Sequence, residues 1–288
     1  MSKILVTGAT GNIGSQTTKL LLERGASVRV GVRSPERAQW ARDKGAEVVR
    51  LDLDDQASVR AALDGVQRAL LVAPFVEGFD ASVKMHIALA KEAGLEHVAR
   101  ISAFGANADA ELNASRWHGA SDKALAESGL AYTIVQPTFF MDNLINFSGE
   151  TIRSQGALYG ASAGKPVSYI SSADIAAVAA KVLEQPSQYN EKTLALTGGE
   201  AITDEKIAAL VSEATGKTVK YVEISSEQQA ESLAAAGLPP WMVTALVGLE
   251  RVKAQGWGAG VEPTVKQVLG RDPERYADFI ARKVDALR

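Results

Sequence analysis

Ile4-Leu5-Val6-Thr7-Gly8-Ala9-Thr10-Gly11-Asn12-Ile13-Gly14 decides the fold. A short branched apolar run gives way to a GxxGxxG loop, and the loop opens onto an amphipathic helical stretch that reaches Leu20-Leu21-Leu22-Glu23-Arg24-Gly25. Glycines at these spacings permit a tight turn, let backbone N–H groups approach a pyrophosphate, and allow the helix to pack close to its strand. A strand, this loop and a helix in that order predict a dinucleotide site built by Gly8, Thr10, Gly11, Asn12, Ile13 and Gly14.

The same alternation continues outward. Strand candidates lie at 28–30, 48–51, 69–72, 98–101 and 132–135, separated by helix candidates that end at or near Gly25, Gly65 and Gly129. Repeated strand–helix–strand units with right-handed crossovers predict an α/β fold with a doubly wound parallel sheet, a Rossmann domain over 1–147. Further strands are expected at 167–170 and 192–197, with an apolar helix through Val182-Leu183 between them, so that 167–198 returns to the sheet. The rest of 148–288 reads as a smaller, mostly helical lobe on the substrate side, with a strand near 219–222, a break at Pro239-Pro240 and a final helix after Pro273.

Composition narrows the function. The 288 residues are 46% hydrophobic and 23% charged, the balance of a globular chain with a large core. Thirty-one Lys and Arg against 34 Asp and Glu give a net charge of −3 without a basic run, so the field that draws a protein to nucleic acid or acidic lipid is missing. The expected partner is a small molecule, with neither nucleic acid nor membrane, and a homodimer is compatible with this surface. There is no cysteine, and the three histidines, His86, His97 and His118, lack the i, i+4 spacing of a helical metal site, so neither thiolate chemistry nor a metal is expected. Without a long apolar segment, a cytoplasmic location is predicted.

The strand ends supply the remaining candidates, because open α/β sheets bind ligands at their carboxyl edge. After the second strand comes Val32-Arg33-Ser34-Pro35, with an arginine where an acidic residue would bond the ribose 2′-hydroxyl of NAD. A guanidinium fork there suits a 2′-phosphate, so NADP(H) is the expected cofactor. Asp52 and Leu53 after the third strand are placed against the adenine, with Asp54 or Asp55 as alternative helix starts. Ala73, Pro74 and Phe75 follow the fourth strand, Ser102 the fifth, and Pro137 the sixth.

Thr7 to Gly14, Val32-Arg33, Ser128-Gly129-Leu130-Ala131-Tyr132-Thr133-Ile134-Val135-Gln136-Pro137, Phe140-Met141-Asp142-Asn143 and Val265-Lys266-Gln267-Val268-Leu269-Gly270-Arg271-Asp272-Pro273 together resemble the NmrA-like branch of the atypical short-chain dehydrogenases/reductases. The likeness is nearest to the NAD(P)H:quinone oxidoreductase and triphenylmethane reductase group and runs nearly end to end. Gln136 departs from it, since an arginine commonly precedes that proline. The resemblance implies an NADPH-dependent reductase acting on a quinone-like or other conjugated acceptor. The alternative it offers is a non-enzymatic NADP(H)-binding redox sensor.

Most short-chain dehydrogenases use a YxxxK pair, in which the lysine lowers the pKa of a proton-donating tyrosine. None of the six tyrosines is followed by lysine at the fourth position. In Trp117-His118-Gly119-Ala120-Ser121-Asp122-Lys123, Gly119 falls where the tyrosine is expected and Lys123 where the lysine is. Lys123 is therefore read as a holder of the nicotinamide ribose, with a solvated helix lysine as the alternative. His118 is read as a proton relay or substrate hydrogen-bonder, with a packed core histidine as the alternative. Phe75, Phe139 and Phe140, together with Trp117, are candidates to surround a flat substrate, and Asn143 or Ser102 to bond its oxygen.

Overall fold

The computed structural model describes residues 2–288, which form two compact units. The first takes the chain as far as Pro137 together with Ser172–Leu196; the second comprises Thr138–Ser171 and Thr197–Arg288. The first unit begins with β1 (Lys3–Val6), α1 (Asn12–Glu23), β2 (Ser27–Val32), α2 (Gln39–Asp43) and β3 (Glu47–Arg50). It continues with α3 (Gln56–Leu63), β4 (Arg68–Leu71), α4 (Asp80–Glu92), β5 (His97–Ile101), α5 (Asn113–Ala126) and β6 (Tyr132–Pro137). The chain then forms α6 (Asn143–Gln155) and β7 (Ala157–Gly160) of the second unit and returns to the first as α7 (Ser172–Glu184), α8 (Pro186–Tyr189) and β8 (Lys192–Leu196). The second unit closes with α9 (Asp204–Thr215), β9 (Lys220–Glu223), α10 (Ser226–Ala235), α11 (Pro240–Ala254), α12 (Thr264–Leu269) and α13 (Tyr276–Lys283).

The seven-stranded sheet of the first unit has the order β3-β2-β1-β4-β5-β6-β8, with every neighbouring pair parallel. This is the Rossmann arrangement read from the alternating pattern. Helices α3, α4 and α5 bury Val59, Leu63, Val83, Ile87, Leu89 and Leu125 in one core with Leu5, Leu71 and Val98 of the sheet. Helix α7 packs beside α1 and under β4 to β6, and its apolar side chains are buried all round, as a helix between a sheet and another helix requires. Ile175, Val182 and Leu183 have no exposed surface, and each contributes roughly 1.5–3 kcal/mol of burial. The strand order reverses between β1 and β4, and there Thr7 ties the two together: its hydroxyl bonds the Val72 carbonyl at 3.0 Å and accepts from the Val72 amide at 2.8 Å.

Two expectations about the later chain need correction. The sheet domain ends at Pro137, not at 147, because Pro137 makes the last ladder pair with Leu196, and the hydroxyl of Thr138 already bonds Ser168 of the second unit. Residues 167–170 do not form a strand of the sheet. Val167 bridges Ile202 and Ile170 bridges Phe140, while the Ser168 amide donates to Gly258, so no single neighbour supplies a continuous ladder. The return to the sheet therefore starts with α7 at Ser172. The second unit is mostly helical, as expected, with β7 and β9 paired in parallel and a core that includes Leu144, Leu158, Ile207, Val211, Phe279 and Ile280. Strand β7 escapes the sequence reading, since it is short and has one buried half.

Candidate active site

The site begins at the glycine loop. Gly8 lies at φ +63°, in the left-handed region that glycine adopts without strain, and its carbonyl accepts from the Gly11 amide at 2.9 Å. A Cβ on Gly14 would stand 2.4 Å from the Gly8 carbonyl oxygen, so the start of α1 presses directly on the loop. No side chain caps α1, its first turn carries no acidic residue, and Thr10, Gly11 and Asn12 are exposed. Backbone N–H groups at an uncapped helix start, with the partial positive charge of the helix behind them, fit a pyrophosphate. Ile13 is buried beneath the loop and anchors the helix.

At the end of β2, Arg33 is exposed and has no ion pair or hydrogen bond among the described residues. Arg50, which pairs in register with Val32 on the neighbouring strand, is also exposed and unpaired, and so adds a second cation to this edge. Sequence spacing did not single out Arg50; only the β2–β3 register brings it here. Asp52 accepts from the Asp54 amide at 3.2 Å, while Asp55 caps α3 by accepting from Ala57 and Ser58, which settles the helix start on Asp55. Leu53 packs against the core and its carbonyl contacts His86. After β4, Ala73 is half-buried while Pro74 and Phe75 are exposed, the Phe75 ring lying 6.4 Å from that of Phe79.

Helix α5 departs most from the sequence reading. A Cβ on Gly119 would stand 2.2 Å from backbone atoms of Asn107 and Ala108, so the loop before the helix fills the place expected for a tyrosine. The residues that face the sheet are His118 and Asp122, one turn apart, and Lys123 is turned away beside Glu127 with its side chain 66% exposed. Lys123 is thus a solvated helix lysine in this structure, because the helix phase, not the motif spacing, decides which residue faces inward.

Asp122 sits at the centre of a buried polar cluster. It pairs with Arg100 of β5 and accepts from the Ser102 hydroxyl at 2.6 Å and the Gln136 amide at 3.0 Å. Burial raises the Asp122 carboxyl above its usual range, against the lowering by Arg100, Ser102 and Gln136. Arg100 is 1% exposed and also donates to Nδ1 of His118 at 3.1 Å. The His118 ring meets Phe79 edge-on, 4.7 Å between centroids, and its pKa is lowered to about 3, first by burial and then by the Arg100 charge. Two expectations change here. His118 is neutral at ordinary pH and carries no ready acid proton, and Ser102 spends its only proton on Asp122, so it cannot donate to a substrate oxygen. Phe79, 2% exposed, joins Phe75, Trp117 and His118 into one aromatic group and was not singled out, because its sequence context is that of any apolar residue at a helix start.

The remaining substrate candidates belong to the second unit. The Phe139 ring meets Tyr169 edge-on at 6.3 Å and carries the Lys253 ammonium 5.0 Å from its centroid, so part of its surface is already engaged. Phe140 is half-buried, with its backbone paired to Ile170, and the half-buried Asn143 begins α6. Pro137 is buried in the first unit, where its carbonyl receives the Phe104 amide at 2.9 Å.

A glycine loop and an uncapped helix start beside the switch point of a parallel sheet define a dinucleotide-binding protein of the Rossmann class. Residues 1–271 match the model of the NmrA-like family, and the chain belongs to that family. It is 35% identical over 279 residues to the NAD(P)H azoreductase of Xenophilus azovorans, covering 96% of each. It is 32% identical to the (4-alkanoyl-5-oxo-2,5-dihydrofuran-3-yl)methyl phosphate reductase of Streptomyces griseus, covering 98% of each. Among solved structures, the NADPH-dependent quinone oxidoreductase of Escherichia coli complexed with NADPH has a TM-score of 0.87 at 27% identity, covering 99% of each chain.

Proposed function

We propose that this protein is an NADPH-dependent oxidoreductase that reduces flat, conjugated acceptors of the quinone and azo kind without a catalytic tyrosine. The observation that carries the reading is the backbone contact at Gly119, which leaves no room for a proton-donating side chain at that position. When bound, the nicotinamide supplies a hydride. Reducing a simple ketone puts the charge on an alkoxide, a strong base that needs an acid at the moment of transfer. A quinone yields a phenolate instead, whose pKa lies near the roughly 10 of a tyrosine phenol, so water can protonate it afterwards.

The chain's own part is to bind and orient. The N-terminus of α1 holds the pyrophosphate, Arg33 the 2′-phosphate, and Asp52, Leu53, Ala73 and Pro74 the flanking surface, with the buried Pro137 behind it, while Phe75 offers a flat apolar face to the acceptor. The named acceptors of the azoreductase and the dihydrofuran reductase are also conjugated, which supports the choice. In this reading the partner is a small molecule and the compartment is the cytoplasm.

Oxidation of NADPH followed against a panel of quinones, azo dyes, enones and aliphatic ketones tests the proposal. Turnover with the conjugated acceptors is expected, with little on the ketones. Protein that binds NADPH but oxidises it with nothing in the panel fits the redox-sensor reading instead, and rapid ketone reduction refutes the tyrosine-independent chemistry. For the cofactor, Arg33→Ala is expected to weaken NADPH binding by about 1.5–3 kcal/mol, the range for a charge-assisted bond, and to leave NADH nearly unchanged. Titration of both nucleotides checks this, and equal losses place the preference elsewhere.

A further inference from the structure

We propose that Arg100 is a positioning residue: by donating to Nδ1 of His118 it fixes the imidazole neutral with its proton on Nε2, so that His118 offers a hydrogen bond, not a proton, to the acceptor atom that gains charge. The inference rests on the reductase reading above.

A guanidinium has donors and no acceptor, so the 3.1 Å contact between Arg100 Nη2 and His118 Nδ1 requires a bare lone pair on Nδ1. Arg100 cannot easily turn away, since it is buried and its other terminal nitrogen is held by Asp122. The charged groups around the imidazole are Arg100 from β5 and, from its own helix, Asp122, whose carboxylate is engaged by Arg100, Ser102 and Gln136. From the start of α4 comes only the uncharged Phe79 ring. A second proton on His118 would therefore meet a cation at contact distance.

The other histidines show what is distinctive. His97 Nε2 lies 3.0 Å from the Thr133 hydroxyl, which gives its own proton to the Tyr189 carbonyl, so the histidine must be the donor. His86 Nε2 likewise donates to the Leu53 carbonyl at 3.1 Å. Among the described residues, only His118 of the three has an Nε2 to which no partner is bonded, and its ring is part-exposed. It sits one turn before Asp122, which bonds Ser102 at the carboxyl end of β5, the ligand edge of the sheet.

The balance of the step is simple. The acceptor gains the hydride's two electrons and hydrogen, water supplies the matching proton, and His118 keeps its own. A neutral imidazole in this role stabilises the developing anion without being consumed.

Nitrogen NMR of uniformly 15N-labelled, nucleotide-free protein tests the inference apart from turnover, with the His118 signals identified by their loss in His118→Gln. Expected are a protonated Nε2, a bare Nδ1 and no titration between pH 5 and 8. A proton on Nδ1, or a midpoint within that range, overturns it, whatever the acceptor panel shows about the reductase reading. Because Arg100→Leu alone strands a buried carboxylate, the variant of choice pairs it with Asp122→Leu. In the folded double variant the His118 tautomers are expected to mix, and its pKa to rise only by the part owed to the Arg100 charge, since burial still holds it below its ordinary value; an unchanged His118 spectrum overturns the role of Arg100. In the kinetic arm, His118→Leu should lower kcat about five- to tenfold with little change in KM, the loss expected for one neutral hydrogen bond, and His118→Gln, which keeps an N–H, should recover most of it. Equal losses in the two variants, or none in either, overturn the donor role.

Discussion

Gly11→Val is expected to give a folded protein that has lost NADPH binding by at least about a hundredfold, ~2.7 kcal/mol. Gly11 has φ −91° and ψ 174°, a conformation any residue adopts, and a Cβ there meets only the Gly8 carbonyl oxygen at 3.3 Å. The backbone can accept the substitution, but the branched side chain would stand over the amides at the start of α1, where the proposed site puts the pyrophosphate. Gly14→Val provides the contrast. Its Cβ would enter the Gly8 peptide, 2.4 Å from the oxygen and 2.7 Å from the carbonyl carbon, so this variant is expected to lose roughly 1–3 kcal/mol or more of stability through forced backbone displacement. Nucleotide titration and thermal melts separate the two effects. Unaltered affinity in a folded Gly11→Val protein would remove the proposed cofactor site altogether.

Acid is expected to destabilise this protein well before its carboxylates are protonated. Burial lowers the pKa of His86, and burial with the Arg68 charge lowers that of His97 to about 4; His118 is at about 3. An unfolded chain binds a proton on each histidine below about pH 6.5, whereas the native state declines it until the lower native pKa is reached. The stabilisation is therefore complete above pH 6.5 and falls as pH falls, by up to about 1.4 kcal/mol per pH unit for each histidine. For His97, 1% exposed, the window runs from 6.5 to about 4 and amounts to about 3 kcal/mol. Urea midpoints should drop between pH 7 and pH 5, and His97→Gln, which retains a donor for Thr133, should flatten the dependence. Midpoints that stay level over that range would mean the histidines are not held neutral.

Much of the first unit could be read from its alternation of apolar runs and glycine-ended helices, because a buried parallel strand has few ways to look in sequence. The turn of the glycine loop into α1 was legible as well, since glycines at this spacing after a strand allow a tight turn and a closely packed helix. What could not be read was rotation. YxxxK spacing pointed to Gly119 and Lys123, yet α5 turns His118 and Asp122 inward, a difference of one residue that no local propensity encodes. One sign was available, since Val98-Ala99-Arg100-Ile101 puts an arginine inside a strand expected to be buried on both faces, and a buried arginine demands a carboxylate. Residues 167–170 misled in the opposite way: their apolar pattern satisfies a strand, but their partners lie in three separate segments.

The backbone contact at Gly119 also bears on how this chain can evolve. Acquiring a proton-donating tyrosine at that helix position is not a single step in sequence space, because every residue other than glycine collides with Asn107 and Ala108 before its side chain has reached anything. The loop is itself tied down, with the Asn107 amide on the Ser115 carbonyl and the Ser115 hydroxyl on the Gly105 carbonyl, so it would have to be remodelled first, through intermediates with a damaged helix contact. If the proposed reading holds, new acceptors can be explored by exchanging exposed residues such as Phe75, while a change to ketone chemistry lies behind a fitness valley. On the proposed reading, what holds the chain to acceptors that need no strong acid is this packing contact at Gly119 and not its choice of catalytic groups.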